Sequence, residues 1–123
     1  EHENMSTVFI CYDRCSTCRK AAKWLDAHGA QYTVRPIKEE NPTAEELAAW
    51  IKMSGKDARR FFNTSGQLYR QLELKDKLPQ MSEQEMIDLL ATDGMLVKRP
   101  LLITENTVLV GFKEAEWEQL WSQ

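Results

Sequence analysis

The chain has 123 residues and a formal net charge of −3, from 16 basic and 19 acidic side chains. Hydrophobic residues at 42% and charged residues at 28% are typical of a globular protein, and the length predicts a single domain. The mild acidity argues against direct binding of nucleic acid, and no apolar stretch suggests a membrane protein. Residues 1–4 precede Met5 and are expected to be the remnant of an expression tag, so that residues 5–123 form the domain.

Three cysteines, Cys11, Cys15 and Cys18, lie close together near the start of the chain. An odd and small number of cysteines argues against the disulfide framework of a secreted protein and predicts a cytoplasmic one, in a compartment that keeps thiols reduced. A close pair of cysteines in that compartment is typically catalytic, regulatory or metal-binding rather than structural.

Residues 7–12 are rich in β-branched and aromatic side chains, which predicts a buried strand. Apolar residues at helical spacing predict a helix that begins near Ser16 and ends at Gly29, since glycine suits the left-handed position after a helix. Residues 31–37 predict a second strand. Because a strand, a helix and a strand follow one another within about thirty residues, we expect a βαβ unit with parallel strands.

The middle of the chain is predicted to be helical. Two capping boxes, in which a serine or threonine is followed three residues later by glutamate, mark helix starts at Thr43 and Ser82. Between them, short apolar segments flank a turn at residues 63–66. The helices expected here span residues 43–55, 57–62, 67–72 and 82–93.

Towards the end of the chain the hydrophobic pattern changes to period two. Residues 101–104 and 107–110 predict a hairpin of short strands, and residues 114–121 predict a closing helix. The order is therefore a βαβ unit, a helical block and a ββα unit. Two such halves that share one mixed sheet form the α/β thioredoxin-like fold, here with a helical insertion at about residues 42–95.

The motif Cys15-Ser16-Thr17-Cys18 lies where the first predicted strand gives way to a helix. Cys15 is expected at the helix N-terminus, where unpaired N–H groups and the helix dipole favour a thiolate by at most about 2 kcal/mol. Cys18 is expected one turn later on the same side, where it can resolve a mixed disulfide. The motif predicts thiol–disulfide chemistry with Cys15 as the nucleophile, Cys18 as the resolving thiol and Arg19 as a nearby cation.

Three other interpretations of the cysteines compete with this one. A zinc site lacks a fourth ligand, because the only histidines are His2 and His28. The C-x3-C-x2-C spacing that Cys11 completes is that of radical-SAM iron–sulfur enzymes, but these need a far larger barrel domain. Cys11 lies in an apolar strand and is expected to be a small core residue. Two inert thiols are the third interpretation, although the exposed first turn of a helix is a poor place for core residues.

A second candidate segment, Lys98-Arg99-Pro100, directly precedes the third predicted strand. In thioredoxin folds a cis-proline at this junction faces the CxxC motif and exposes backbone groups that pair with an extended substrate. Arg99 would then lie beside the Cys15 sulfur and stabilise a thiolate or a bound oxyanion. A proline that simply opens an edge strand explains the same residues equally well on spacing alone.

Residues 12–21 and 94–101, together with the helices between them, resemble the ArsC/Spx family. The likeness covers nearly the whole chain from Met5, with both segments in the right order and at the right separation. The resemblance implies a thioredoxin-like fold with a helical insertion.

One branch of that family implies arsenate reduction. In its glutaredoxin-linked arsenate reductases the first cysteine attacks arsenate, an arginine that follows it closely assists, and further arginines bind the oxyanion. Cys15, Arg19 and Arg99 match this pattern. Two other family arginines do not match, because their positions fall at or near Asn63 and Phe112.

The other branch implies regulation. In Spx a CxxC motif followed by arginine acts as a redox switch, and the protein binds the C-terminal domain of the RNA polymerase α-subunit. Cys15, Cys18, Arg19 and Arg99 match this branch equally well.

The sequence thus favours a cytoplasmic thiol–disulfide oxidoreductase of the ArsC/Spx family, an arsenate reductase, with Pro100 as the substrate-binding platform. Such an enzyme needs no metal or organic cofactor, but it needs an external reductant such as glutathione, glutaredoxin or thioredoxin. The alternative is an Spx-like, redox-switched regulator that binds the RNA polymerase α-subunit without turnover.

Overall fold

The computed structural model describes residues 7–121, which contain one four-stranded sheet. Residues 1–4, expected to be a tag remnant, lie outside the described residues. The strands are β1 (Val8–Cys11), β2 (Thr33–Pro36), β3 (Leu101–Ile103) and β4 (Val108–Val110).

Helices flank the sheet and fill the connection between β2 and β3. The helices that directly follow a strand of the sheet are α1 (Ser16–Ala27) after β1 and α6 (Glu114–Trp121) after β4. The helices of the long connection are α2 (Ala44–Ser54), α3 (Gln67–Gln71), α4 (Leu74–Lys77) and α5 (Glu83–Leu90). Single 3-10 turns lie at Ala58–Phe61, Leu78–Gln80 and Gly94–Leu96. Within residues 7–121 no helix is long and apolar enough to cross a membrane.

The strands lie in the order β2-β1-β3-β4. β1 and β2 are parallel, whereas β3 is antiparallel to both β1 and β4. In this register Ile10 of β1 lies between Arg35 of β2 and Leu101 of β3. A parallel βαβ unit and an antiparallel ββα unit therefore share one mixed sheet, which confirms the predicted thioredoxin-like fold.

The strand residues alternate between two hydrophobic cores. Ile10 and Leu101, both fully buried, face the helices of the long connection. Their neighbours Phe9 and Leu102 face the opposite side and pack with Trp117 of α6. This alternation follows from the two-residue period of a strand, and each large side chain that it buries stabilises the fold by roughly 1.5–3 kcal/mol.

The helices begin where their capping residues predict. At the start of α2 the Thr43 hydroxyl accepts from the Glu46 N–H, while the Glu46 carboxylate accepts from the Thr43 N–H. A second capping box opens α5 in the same way. Helix α4 and the turn Leu78–Gln80 were not predicted, because one-turn elements are too short to show a hydrophobic period.

An ion pair joins the edge of the sheet to α2. The Arg35 guanidinium donates through Nη1 and Nη2 to the two carboxylate oxygens of Glu46, both at 2.8 Å. The guanidinium also lies 5.6 Å from the centre of the Trp50 ring. These contacts fix the position of α2 against β2.

Backbone hydrogen bonds hold the segment before β3 against the turn that follows Phe62. The Lys98 N–H donates to the Phe61 carbonyl at 2.8 Å, and the Asn63 N–H donates to the Leu96 carbonyl at 2.8 Å. Phe62 and Val97 accordingly form an isolated antiparallel bridge. This pairing brings the turn at residues 63–66 next to Arg99.

Candidate active site

Cys15 is the N-cap residue of α1. Its backbone is extended, with φ −95° and ψ 118°, and its N–H donates to the Tyr12 carbonyl at 3.0 Å. The Cys15 Sγ atom accepts a hydrogen bond from the Cys18 N–H at 3.4 Å. A thiol thus occupies the position in which serine or aspartate usually caps a helix, and as a thiolate it satisfies the exposed N–H groups best.

Cys18 lies one turn into α1 and is buried, with 3% of its surface exposed. Its Sγ atom accepts a hydrogen bond from the Tyr12 N–H at 3.4 Å. Cys15 and Cys18 are both free thiols, so the described arrangement is that of the reduced dithiol.

The two thiols have opposite tendencies to ionise. Burial by itself would raise the pKa of Cys15, but hydrogen bonds from the Cys18 and Thr17 backbones and the Cys18 side chain, and the charge of Arg99, hold it below its usual value. Burial raises the pKa of Cys18 to about 12, because the hydrogen bond from Tyr12 is too weak to offset it and the neighbouring Cys15 raises it further. Cys15 is therefore the thiol that ionises first.

Arg99 is held in place by backbone carbonyls and an aromatic ring. Its Nη1 atom donates to the Val97 carbonyl at 3.3 Å and to the Met95 carbonyl at 3.4 Å. The guanidinium carbon lies 5.1 Å from the centre of the Tyr12 ring. These neighbours carry no negative charge, so the positive charge of Arg99 remains available to the Cys15 sulfur.

Cys15 and Arg99 line the same open cleft, whose volume is about 340 Å³. Two lysines, Lys98 and Lys113, also line it, and among residues 7–121 no acidic side chain does. Such a cleft favours anionic groups, whether a thiolate on the protein or an acidic group on a ligand. Asn63, Ser65 and Gly66 of the turn at residues 63–66 line the cleft as well.

The sequence matches the model of the ArsC family over residues 11–120. This chain belongs to the ArsC family. Over 118 residues it is 52% identical to the uncharacterized protein YusI of Bacillus subtilis, which covers 96% of this chain and 100% of YusI. It is also 31% identical to the global transcriptional regulator Spx of Staphylococcus saprophyticus over 113 residues, or 91% of this chain and 83% of that regulator.

Solved structures agree with this assignment. An ArsC family related protein from Bacteroides fragilis superposes with a TM-score of 0.93 at 57% identity, covering 95% of this chain and 98% of that one. A possible arsenate reductase from Streptococcus mutans superposes with a TM-score of 0.86 at 46% identity, covering 94% and 97%. The ArsC relatives therefore include proteins described as reductases and proteins named as regulators.

Of the other predicted site residues, Pro100 lies next to Arg99, whereas Arg19 lies outside the cleft. Pro100 follows Arg99 through a cis peptide bond, and its carbonyl accepts from the Gly111 N–H at 2.8 Å. Arg19 instead lies on the exposed side of α1, where its Nη1 atom donates to the Asp13 carbonyl at 2.9 Å. Arg19 is not among the residues that line the cleft.

Cys11, expected to be a core residue, is only half-buried at the end of β1. It packs at the edge of the core that contains Phe9, and burial, followed by the charge of Asp13, raises the pKa of its thiol. The strand pattern alone overstates its burial, because Cys11 pairs with Pro36 of β2 but lies beyond the last residue of β1 that pairs with β3. Within residues 7–121 no group of three or more histidine, cysteine or acidic residues is arranged to hold a metal ion.

Lys113 is the cleft residue that the sequence did not suggest. It follows β4 by three residues, and the pairing of Leu101 with Val110 brings the end of β4 beside the start of β3, where Pro100 lies. The β3–β4 hairpin, which the sequence predicts, already implies that the residues just after β4 lie near the residues just before β3. Asn63 and Phe112, at or near which the family resemblance implies two arginines, line the cleft as well.

Proposed function

We propose that this protein is a thiol–disulfide oxidoreductase in which Cys15 is the nucleophile and Cys18 the resolving thiol. The observation that carries the proposal is the contrast between the two cysteines. Cys15 caps α1 in a cationic cleft with a lowered pKa, whereas the pKa of the buried Cys18 is raised to about 12. Attack requires a thiolate, and resolution requires a second thiol that stays protonated until it is needed.

In the first step the Cys15 thiolate attacks one sulfur of a substrate disulfide. The substrate S–S bond breaks, a mixed disulfide between Cys15 and the substrate forms, and the leaving thiolate takes up a proton from water. The positive charge of Arg99 favours the thiolate before attack, and the N–H groups of α1 do the same.

In the second step Cys18 loses its proton and attacks the Cys15 sulfur. The mixed disulfide breaks, the second substrate thiolate leaves and is protonated, and Cys15 and Cys18 become a disulfide. The substrate has gained two electrons and the protein has lost two. A dithiol or thiol reductant of the cytoplasm, such as thioredoxin or glutathione with glutaredoxin, restores the reduced pair.

Arsenate is the first inorganic substrate to test. One structural relative is described as a possible arsenate reductase, and the cleft beside Cys15 presents Lys98, Arg99 and Lys113 to an oxyanion. Asn63 and Phe112 line the cleft at or near the positions where the family resemblance implies arginines. Fewer charge-assisted contacts are then available, each worth about 1.5–3 kcal/mol.

The test is a steady-state assay of the full chain with a small disulfide and with arsenate. Glutathione with glutaredoxin, and thioredoxin, are supplied in turn as reductants. Turnover is expected with at least the disulfide, and Cys15→Ser is expected to abolish it. Cys11→Ser removes a cysteine outside the cleft and serves as the matched control. Full activity of Cys15→Ser would contradict the proposal. So would the absence of turnover by the wild type with both substrates and both reductants.

A regulatory function is the second candidate, because the relatives include the transcriptional regulator Spx at 31% identity. In that case the dithiol is a switch, and the reduced and oxidised proteins differ in affinity for the C-terminal domain of the RNA polymerase α-subunit. The affinity for that domain is measured for the reduced and the oxidised protein. Equal affinities, or no binding by either form, would exclude a redox-switched regulator.

A further inference from the structure

Basic residues are concentrated in a second groove beside the active-site cleft. Its volume is about 200 Å³, and five of the 16 basic residues of the chain line it. These residues are Lys56, Arg59, Arg60, Lys98 and Lys113. In the part of the chain that the structure describes, no acidic side chain lines the groove, although the chain as a whole has a net charge of −3. The concentration of positive charge is therefore a local property of this surface.

The fold fixes these cations relative to one another. Arg59 and Arg60 lie in the 3-10 turn Ala58–Phe61, whose last carbonyl accepts from the Lys98 N–H at 2.8 Å. The Lys98 side chain lies across Gly111, where φ is +72° and a Cβ atom would come within 2.8 Å of Lys98 Cε. Glycine at this position thus allows Lys98 to lie over the end of β4.

Several of the charges are not neutralised by the protein. Lys56 is 3.5 Å from a carboxylate oxygen of Glu116, and Arg59 is 3.6 Å from one of Asp57. Arg60, Lys98 and Lys113 have no acidic partner within 4.0 Å among residues 7–121. Cations this close together and without acidic partners attract acidic groups. The buried residues Phe62 and Val110 also line the groove.

The groove and the active-site cleft adjoin. Lys98 and Lys113 line both, so a ligand in the groove lies next to the cleft that contains Cys15. An extended peptide chain can span two adjoining surface grooves in this way, because it advances about 3.3 Å per residue. A single small anion would use only one of them.

We propose that the groove binds acidic residues of a protein or peptide disulfide that Cys15 attacks. This inference rests on the proposed function and specifies its substrate class. Acidic side chains flanking the substrate cysteine pair with Arg60, Lys98 and Lys113, while the Cys15 thiolate breaks the substrate S–S bond and forms a mixed disulfide. The leaving thiolate carries away the electron pair of the broken bond. We favour a peptide over a nucleic acid because the ligand has to present sulfur to Cys15.

Three peptides of equal length test the proposal. Each carries one cysteine in a disulfide with thionitrobenzoate, flanked by aspartate, asparagine or lysine residues. The reduced full chain is mixed with each peptide, and the release of thionitrobenzoate is followed by absorbance. Mass spectrometry of the Cys18→Ser chain, which lacks the resolving thiol, assigns the mixed disulfide to Cys15. The aspartate peptide is expected to react about tenfold faster than the asparagine peptide at low salt, and the difference is expected to shrink as salt is added.

A charge reversal separates the groove from general electrostatics. Arg60→Glu is expected to bring the aspartate-to-asparagine rate ratio close to one. The matched control Lys23→Glu reverses an exposed charge on α1 outside both clefts and is expected to keep the ratio. Circular dichroism checks that both variants fold. Equal rates for all three peptides, or an equal loss of the rate ratio in both variants, would overturn the proposed role of the groove but not the proposed function. If Cys15 reacts with none of the peptides, the proposed function is overturned as well.

Discussion

Cys15 and Cys18 are three positions apart, with Ser16 and Thr17 between them, yet the two thiols have different surroundings. The Cys15 sulfur faces the N–H groups at the start of α1 and the charge of Arg99, whereas the Cys18 sulfur is buried and accepts one hydrogen bond. Helix geometry explains this contrast, because the capping residue points at the helix end and the residue three positions later points along its side.

Arg99→Gln tests the contribution of this arginine to the thiolate. Because the charge of Arg99 lowers the pKa of Cys15, its removal is expected to raise that pKa and to slow alkylation of Cys15 severalfold at neutral pH. The slowing is expected to disappear at high pH, where both proteins carry the thiolate. The measurement is the rate of iodoacetamide labelling of Cys15 as a function of pH.

Arg19→Gln is the comparison variant. Arg19 lies outside the cleft, with its guanidinium bonded to the Asp13 carbonyl, so its replacement is expected to shift the labelling profile less than Arg99→Gln does. An equal or larger shift with Arg19→Gln would show that Arg19 supplies the potential predicted from its position beside Cys18.

The sequence predicted the two cysteines, Arg99 and Pro100 as neighbours of one site, because a helix start and a strand start have fixed places in a thioredoxin-like sheet. It did not distinguish the positions of Arg19 and Arg99 relative to the cleft. The conformation of a flexible arginine depends on which backbone groups lie within its reach. Only the structure shows that Arg19 donates a hydrogen bond to the Asp13 carbonyl.

Among the secondary-structure elements, β2 and α2 are joined by the ion pair of Arg35 and Glu46. The bidentate bond from Arg35 lowers the pKa of Glu46 to about 2, and the N–H of Thr43 adds to the effect. The carboxylate therefore serves both as the capping-box partner of α2 and as the anchor of the helix on the sheet.

Glu46→Gln tests this anchor. A carboxylate whose pKa is lower in the folded than in the unfolded protein stabilises the fold above the unfolded value of about 4.3, and the effect is lost as pH falls towards about 2. Since Glu46 is about one-third exposed, we expect a loss of only about 1 kcal/mol at neutral pH. The difference between the two proteins is expected to vanish near pH 2 in urea unfolding experiments.

Glutamine can still close the capping box, so the variant isolates the ion pair. Glu45→Gln changes an exposed carboxylate one residue earlier and is the matched control. The account of this anchor fails if the two variants lose the same free energy of unfolding, or if the loss in Glu46→Gln is unchanged at low pH.

At this scale the sequence predicted the elements with strong local signals. The capping boxes placed α2 and α5, and the two-residue period placed β3 and β4. Helix α4 and the turn Leu78–Gln80 were not predicted, since their formation depends on the burial of Leu74 and Leu78 in the core rather than on local preference.

Considered as a whole molecule, the protein carries its charge unevenly. A net charge of −3 gave no indication of a basic surface, yet five basic residues line one groove beside Cys15. Lys56, Arg59 and Arg60 are about forty positions from Lys98 in the chain. The bridge between Phe62 and Val97 brings the turn that contains Arg59 and Arg60 beside Lys98. Such long-range pairings cannot be inferred from composition.

A second long-range pairing, that of β1 with β3, completes the dithiol site. The motif Cys15–Cys18 comes from the βαβ half, whereas Arg99, Pro100 and Lys113 come from the ββα half. The shared sheet joins the halves through the pairing of β1 with β3. The chemistry of Cys15 therefore reports on the correct assembly of the whole fold.

The pH dependence of cysteine alkylation in the reduced full chain tests the central claim most directly. Labelling at each pH is quantified for Cys15 and Cys18 separately by mass spectrometry. We expect Cys15 to reach half of its maximal rate clearly below pH 8.5, the pKa of an ordinary cysteine, and Cys18 to remain unlabelled until far higher pH, in keeping with its pKa of about 12. Labelling of Cys18 before Cys15, or a Cys15 profile equal to that of a free cysteine, would contradict the account.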